Sequence, residues 1–345
     1  MEEQLNSTFG HEEMIEVRDA SDVAEARRVA SRMASRIRFS EAESGHIALI
    51  TTELASNLVK HAKSGRIVAS LLQRGSAVGF ELKALDHGPG IADVTRSLRD
   101  GYSTTGTAGT GLGAVKRLAQ EFDIYSAPGK GTAVLARIWS GTPSRSEDTT
   151  FEFGAVCLPF PGETVSGDGW EIDASRGKCT CVVVDGLGHG PSAAQAAEAA
   201  LATTREQRGK APAEIVERAN GALRSTRGAA MAVAEIHPEN NVVRFCGVGN
   251  IVARIASQGK PRHMVSYNGI VGQEARKIIE FTYPWGADAL LVMHSDGLTA
   301  RWDFANYSAL LQHHPALIAG VLYRDYGRGR DDATVLVARQ KHFSV

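Results

Sequence analysis

In the second half of the chain, apolar runs repeatedly meet a carboxylate at their boundary. They are Val182-Val-Val-Asp185-Gly-Leu-Gly-His-Gly190, Leu290-Leu-Val-Met-His-Ser-Asp296-Gly297 and Gly329-Arg-Asp331-Asp332-Ala-Thr-Val-Leu336. An unpaired ionised side chain is not tolerated inside a buried strand, so each strand has to begin or end at its aspartate. One Asp-Gly pair is an ordinary turn. Several carboxylates at the ends of separate strands are different, because brought together they repel strongly unless cations stand between them. Two divalent cations roughly 3.5–4 Å apart would neutralise such a set and activate a bridging water against a phosphoryl group. Oxygen-only ligation favours Mn²⁺ or Mg²⁺ over zinc.

At 345 residues the chain exceeds the usual size of one hydrophobic core, so two domains are expected. The segment 140–150 (SGTPSRSEDTT) has no large apolar side chain and reads as a linker. It leaves a domain over 1–139 and another over 151–345. The hydrophobic share of 43% and charged share of 22% are those of a soluble globular protein. A formal net charge of −1, without a basic run, excludes a dedicated nucleic-acid binder. No apolar stretch approaches the ~20 residues that span a bilayer, and the polar, acidic N-terminus argues against a signal peptide. Cys157, Cys179, Cys181 and Cys246 form no CxxC pair and read as buried free thiols of a cytoplasmic protein. Cys179 and Cys181 would share one face of a strand.

The first half predicts helices over 20–37 and 43–62, the second opened by a capping box at Ser40 and Glu43. Strands follow over 67–72 and 78–84, then a turn at 86–91, a helix over 113–122, and strands over 124–126 and 132–139. Helices followed by a mostly antiparallel sheet make an α/β sandwich. In the second half, strands are expected over 151–157, 169–174, 180–184, 230–236, 242–248, 251–255, 289–294 and 333–339, and helices over 192–204 and 213–224. That pattern describes sheets with helices packed outside.

Glu53 and Asn57 are four residues apart and share a helix face that His61 continues. Together they are able to order a hydroxyl nucleophile and a hard cation, since Mg²⁺ takes neutral oxygen ligands and keeps several waters. Asp86 stands at a strand end before Gly88 and Gly90, where a carboxylate can accept from an exocyclic amine while glycine lets a flat base approach. The stretch GTAGTGLG (106–113) ends at a helix start, where free N–H groups and the dipole favour phosphate. Each piece alone also suits a plain helix face or turn; their order and intervals are what point to a nucleotide site. Gly129-Lys130 is followed by Gly131, so it is no P-loop. In the second half, His189 lacks a Cys or His at zinc-ligand spacing and reads as a surface residue or one beside the site. Asn250 reads as a hairpin-turn residue.

On these residues, 20–139 resembles the GHKL ATPase (Bergerat) fold, and specifically switch-protein serine/threonine kinases of the RsbT type. The segments carrying the resemblance are TTELASNLVKHA (51–62), DHGPGI (86–91), DGYSTTGTAGTGLGAVKRLAQEF (100–122) and GKGT (129–132). It implies Glu53 as catalytic base, Asn57 as Mg²⁺ ligand, and Asp86 as the adenine contact with Gly88 and Gly90 lining the base. Gly109, Gly111 and Gly113 would hold the phosphates of ATP, with Thr132 supporting the adenine pocket. Substrates of that family are small STAS-domain proteins, which bind anti-sigma factors or sit in stressosomes.

The segment 151–345 resembles SpoIIE-type metal-dependent serine/threonine phosphatases of the PPM superfamily, most closely the compact RsbX type, with an α-β-β-α sandwich. The motifs are SGDGW (166–170), VVVDGLGHG (182–190), VGNI (248–251), MHSDGL (293–298) and GRDDATVLV (329–337). The resemblance implies that Asp185 bridges two Mn²⁺ or Mg²⁺ ions and the Gly186 carbonyl binds one. Asp296 and Asp331 would complete the second ion, with Asp168 close by; the choice between Asp331 and Asp332 stays open.

Two readings follow. In one, the chain is an α/β bifunctional switch enzyme that phosphorylates Ser or Thr of a STAS-domain partner with ATP·Mg²⁺ and reverses this by two-metal hydrolysis. In the other, the first half is a nucleotide-dependent module that binds a downstream protein or regulates the phosphatase. Neither involves nucleic acid or membrane. Substrate identity, acceptor residue, gating and oligomeric state are not written in the motifs.

Overall fold

The computed structural model describes residues 12–74, 77–98, 111–141, 150–175, 177–257, 261–307 and 309–341. The expected linker lies mostly, and Gly109 wholly, outside them. The chain divides into two compact units, Met1–Ser146 with Ser308–His313, and Glu147–Tyr307 with His314–Val345.

The first unit is an antiparallel five-stranded sheet with helices on one face. Its strands are β1 (Glu12–Val17), β2 (Gly65–Arg74), β3 (Ala77–Asp86), β4 (Glu121–Ser126) and β5 (Thr132–Ser140), in the order β1-β2-β3-β5-β4. Helix α1 (Ala20–Ala34) starts at an Asp19 capping box and α2 (Glu41–Asn57) at the expected Ser40–Glu43 box. One π-helical turn, Leu58–Ala62, prolongs α2. Helix α3 (Gly111–Leu118) ends earlier than its sequence pattern predicts, because Glu121 and Phe122 are drawn into β4. Strand β1 was not expected from sequence; it pairs along β2 and brings Glu12 opposite Ser70. The core holds Met33, Ile47, Ile50, Leu54, Phe80 and Leu82.

The period-two alternation of β3 turns Phe80 and Leu82 to the helices and Glu81 and Lys83 to the other face. There Glu81 is paired with Lys83 and forked by Arg137, whose Nε and Nη2 both reach it at 2.6 Å. Arg137 also donates to Glu121 at 2.9 Å, and Glu12 lies 3.8 Å from Lys83. Glu81, Lys83 and Arg137 are all buried. Burial alone would raise the Glu81 pKa, but Lys83 and Arg137 prevail and hold it at about 2.

The second unit stacks two sheets. The first contains β7 (Asp168–Ser175), β8 (Lys178–Gly186), β9 (Ala229–His237) and β10 (Val242–Val248), with the short β13 (Ser266–Tyr267) and β14 (Phe281–Pro284) both pairing with β10. The second runs β12 (Arg262–Met264), β11 (Val252–Ala256), β15 (Leu290–His294), β16 (Ala333–Gln340), β6 (Phe151–Leu158). Helices α4 (Pro191–Glu206) and α5 (Pro212–Ala222) cover the first sheet and α6 (Pro315–Tyr326) the second, giving the α-β-β-α order. Strand β8 is apolar on both faces because both are buried. Cys179, Cys181 and Val183 enter the core between the sheets, while Val182 and Val184 pack under α4 and α5. All four cysteines are free and buried. Helix α6 has no counterpart in the sequence reading: Pro315 through Arg324 are all buried, so no polar stripe marks its helical period. Among the described residues no helix is long and apolar enough to cross a membrane.

The charge cluster of the first unit makes a stability prediction. Glu81→Gln strands buried cations and should cost on the order of 3 kcal/mol in urea unfolding at pH 7. Because the folded pKa lies below the ordinary glutamate value, Glu81 stabilises the fold above about pH 4.5, and that contribution disappears as pH falls toward about 2. The gap between wild type and variant should therefore narrow over that interval; a gap constant in pH would show that the charge of Glu81 is not what stabilises the unit.

Candidate functional site

In the second unit the carboxylates arrive from both sheets at one end of the sandwich. Asp168 opens β7 and stands directly opposite Asp185 in the β7–β8 ladder. Asp296 follows β15 and Asp332 precedes β16, strands paired to each other in the second sheet. Ser295 ties the two sheets together: its hydroxyl donates to Asp168 Oδ2 at 2.6 Å and accepts from the Thr334 N–H at 3.0 Å. Asn250 Nδ2 donates to Asp296 Oδ2 at 2.8 Å. The Phe160 N–H donates to Asp332 Oδ1 at 2.8 Å, and Asp331 Oδ1 accepts from the Asp332 N–H at 3.0 Å. Of that pair Asp332 is buried, whereas Asp331 is half-exposed.

Two glycines are required by close packing. A Cβ on Gly186 would run into the Ala193 carbonyl on α4, and one on Gly297 into the Asp332 carbonyl. The aspartate before each is thereby drawn tightly against a neighbouring chain segment.

The set carries negative charge that its own neighbours do not offset. Burial, then Asp296, Asp331 and Asp332, push the Asp185 pKa up to about 7, against a hydrogen bond from Asn250. Asp168 is raised well above the carboxylate range by burial and by Asp185. Asp332 Oδ2 is buried without a hydrogen-bond partner. Among the described residues no group of three or more His, Cys, Asp or Glu side chains is placed to hold an ion. By chemistry alone, all-oxygen donors with uncompensated charge fit Mg²⁺ or Mn²⁺. His189 stands apart from them: its Nδ1 lies 2.9 Å from Glu163 Oε1 and its ring stacks on Phe160 at 4.5 Å between centroids.

In the first unit, Glu53 and Asn57 are half-buried on α2 and face the start of α3. A Cβ on Gly111 would lie 3.5 Å from Asn57 Oδ1 and 3.8 Å from Glu53 Oε2. The helix start expected to receive phosphates thus adjoins the expected base and metal ligand. Gly113 is buried within α3. At the other end, Asp86 Oδ1 accepts from Gly88 N–H at 2.7 Å and from Thr132 N–H at 3.1 Å. The Thr132 hydroxyl lies 2.9 Å from that of Ser126. Gly90 and Gly131 have φ of +74°, and a side chain on Gly131 would strike the Asp86 carbonyl. The structure therefore brings Asp86, Gly88 and Thr132 together around one carboxylate, and Glu53, Asn57 and Gly111 around the helix start.

Asn250 is the residue whose part the sequence reading missed. It sits in a turn, as expected, and also holds Asp296; the signal was present in VGNI, but only the fold brings that turn to the Asp296 loop.

Comparison with known proteins agrees with this division. Residues 17–138 match the histidine kinase-like ATPase domain family and residues 175–341 the stage II sporulation protein E (SpoIIE) family. The serine/threonine-protein kinase RsbT of Bacillus subtilis is 36% identical over 119 residues, 34% of this chain and 89% of RsbT. The phosphoserine phosphatase RsbX of the same organism is 26% identical over 138 residues, 40% of this chain and 69% of RsbX. Among solved structures, a chain described under the bacterial stressosome, a modular system adapted to control secondary messenger signaling, superposes with a TM-score of 0.51 at 28% identity, covering 55% of this chain and 99% of its own. RsbX crystallised with magnesium gives a TM-score of 0.51 at 22% identity, covering 57% and 98%, a likeness of fold.

A metal titration tests the acidic set. In chelator-treated protein, Mn²⁺ or Mg²⁺ at a hundredfold excess over its dissociation constant should stabilise the second unit by about 2.7 kcal/mol. A carboxyl with a raised folded pKa favours the fold at low pH and opposes it once ionised. Metal-free wild type should therefore lose melting temperature as pH rises through about 7, and Asp185→Asn should flatten that slope and the metal response together. An unchanged metal response in Asp185→Asn would remove Asp185 from the binding set.

Proposed function

Because the chain belongs to the RsbT-like histidine kinase-type ATPases through its first domain and to the SpoIIE/PP2C-type phosphatases through its second, we propose that it is a bifunctional switch enzyme. Its first domain phosphorylates Ser or Thr of a STAS-domain partner, and its second removes that phosphate. The observation that carries this reading is that both constellations are assembled in one chain: Glu53 and Asn57 against the Gly111 helix start, and Asp168, Asp185, Asp296, Asp331 and Asp332 at one end of the sandwich.

For the kinase step, the substrate hydroxyl gives its proton to Glu53 as its oxygen bonds to the γ-phosphorus of ATP, and the β–γ bridging bond breaks with ADP leaving. Asn57 supplies a neutral oxygen for Mg²⁺. Asp86, already holding Gly88 and Thr132 through one oxygen, presents its carboxylate to the adenine amine. Gly111 and Gly113 would offer backbone N–H groups to the phosphates, and Gly109, outside the described residues, is assigned with them by the resemblance.

For the phosphatase step, Asp185, the Gly186 carbonyl, Asp296 and Asp331 would hold two Mn²⁺ or Mg²⁺ ions, with Asp168 beside them. Bound divalent ions of this kind supply an activated water and neutralise charge on the phosphoryl group. Within the chain, Ser295 fixes Asp168, Asn250 fixes Asp296, and the Phe160 N–H fixes Asp332. We assign Asp331 rather than Asp332 to the metal because Asp331 is half-exposed, whereas Asp332 is buried with one oxygen on the Phe160 N–H.

The test is intact-mass measurement on STAS-domain proteins from the same organism. Asp185→Ala chain with ATP and Mg²⁺ should add phosphate to a partner, and wild type with Mn²⁺, after ATP removal, should take it off. Glu53→Ala should slow the gain by about 10²–10⁴-fold while ATP still binds. No gain with the Asp185→Ala chain, despite ATP and partner binding, would reduce the first domain to a nucleotide-dependent docking module.

A further inference from the structure

Beside the acidic end of the second unit, the β8–β9 ladder places an arginine against the metal-binding loop. The ladder closes with Asp185 opposite Ala230 and Gly186 opposite Ala229. Pairing goes one step further, because the Leu187 N–H donates to the Gly228 carbonyl at 3.0 Å. The next position along sets Gly188 beside Arg227. A Cβ on Gly188 would lie 3.1 Å from Arg227 Nη1, and Gly188 has φ of +92°. The guanidinium therefore lies along the loop that leaves Asp185, where any larger residue at 188 would crowd it.

Its backbone is firmly held. The Arg227 carbonyl accepts from Gln273 Nε2 at 2.8 Å. On one side, the Thr226 hydroxyl donates to the Leu223 carbonyl at 2.8 Å and accepts from the Gly228 N–H at 3.0 Å. On the other, Ala229 and Val271 exchange backbone hydrogen bonds of 3.1 and 2.8 Å. The side chain is exposed, and among the described residues no carboxylate forms an ion pair with it. The neighbouring His189 is engaged with Glu163 and Phe160. A planar fork of N–H donors thus stands open at the rim of a site whose own side chains are acidic. A guanidinium binds two phosphoryl oxygens at once, which an ammonium does not.

We propose that Arg227 is the phosphoryl-anchoring residue of the phosphatase domain, gripping the phosphate of a phosphoserine or phosphothreonine side chain beside the Asp185 loop. This rests on the phosphatase reading of the second domain. Arg227 attracts the dianion that the carboxylates repel and fixes its orientation, while the carboxylates keep the task of binding metal.

The experiment uses the full chain loaded with Mg²⁺ and inorganic phosphate as probe, by calorimetry, with hydrolysis of a phosphoserine peptide alongside. Arg227→Ala should weaken phosphate binding and raise the peptide KM by about ten- to a hundredfold, the scale of a lost charge-assisted pair. Arg227→Lys should fall between the two, and Mg²⁺ affinity should not move. Arg224→Ala removes the same charge three residues away and should leave phosphate binding as in wild type. Unchanged phosphate affinity in Arg227→Ala overturns the proposal, as does a loss of Mg²⁺ affinity in parallel, or a wild type that binds no phosphate. If phosphate binding falls as expected but wild type hydrolyses no peptide, the anchor stands and the phosphatase reading fails.

Discussion

Mutual repulsion among aspartates at one end of the second unit sets the terms for the elements around it. Asp168 and Asp185 face each other across a ladder, and Asp296 and Asp332 come from the neighbouring sheet. Without further help such a set would force the sheets apart or take up protons, and Asp185, pushed up to about 7, shows the second tendency. The sheets are held instead by a neutral group. The Ser295 hydroxyl donates a hydrogen bond to Asp168 and accepts one from the Thr334 N–H, joining β7 to the second sheet without adding charge. The glycines after Asp185 and Asp296 then allow the backbone to close where side chains would collide.

The first unit handles buried charge in the opposite manner. Glu81, Lys83 and Arg137 are buried like Asp168 and Asp332 of the second unit, yet each has an opposite charge in contact. Compensation there is internal and permanent, so Glu81 is held at about 2 and has no need of a ligand. At the acidic end of the second unit no side-chain cation is paired with Asp168 or Asp332 among the described residues. Buried ionisable groups that the protein satisfies by itself serve architecture, and those it leaves unsatisfied mark where chemistry is done. Asp86 is held differently again, with two backbone N–H groups donating to one of its oxygens.

This contrast also explains what was legible in the sequence. Strands that end in aspartate announce themselves, because an apolar run and an unpaired charge cannot share a buried strand. The β8, β15 and β16 segments accordingly lie within two residues of their expected bounds. The Ser40–Glu43 box was equally plain. Helix α6 was not, since burial on every side erases the period by which a helix is recognised. Strand β1 was hidden because its Glu12, Glu13 and Glu16 read as solvent residues, and it takes Ser70 and Lys83, from other strands, to make Glu12 fit in the interior. Asn250 and Arg227 carry no local signal of their position. Each is placed by a pairing between distant segments, in the one case the Asp296 loop and in the other the extension of the β8–β9 ladder.

Joining the two proposed activities in one polypeptide would have a kinetic consequence that separate enzymes lack. If the same chain adds and removes phosphate, the steady-state phosphorylated fraction of the partner depends on the ratio of the two turnover rates. The amount of chain multiplies both and cancels. Expression level then sets how fast the partner responds, not where it settles. The settling point belongs to ATP, to the divalent ion the aspartates need, and to whatever favours one site's hold on the partner over the other's. On that proposal the two sites differ in kind: one would bind a hydroxyl and a nucleotide, the other a phosphoryl group and metal. A group that touches only the phosphorylated partner, as proposed for Arg227, therefore shifts the balance without altering the forward step, which makes the rim of the phosphatase site the natural place to tune the switch.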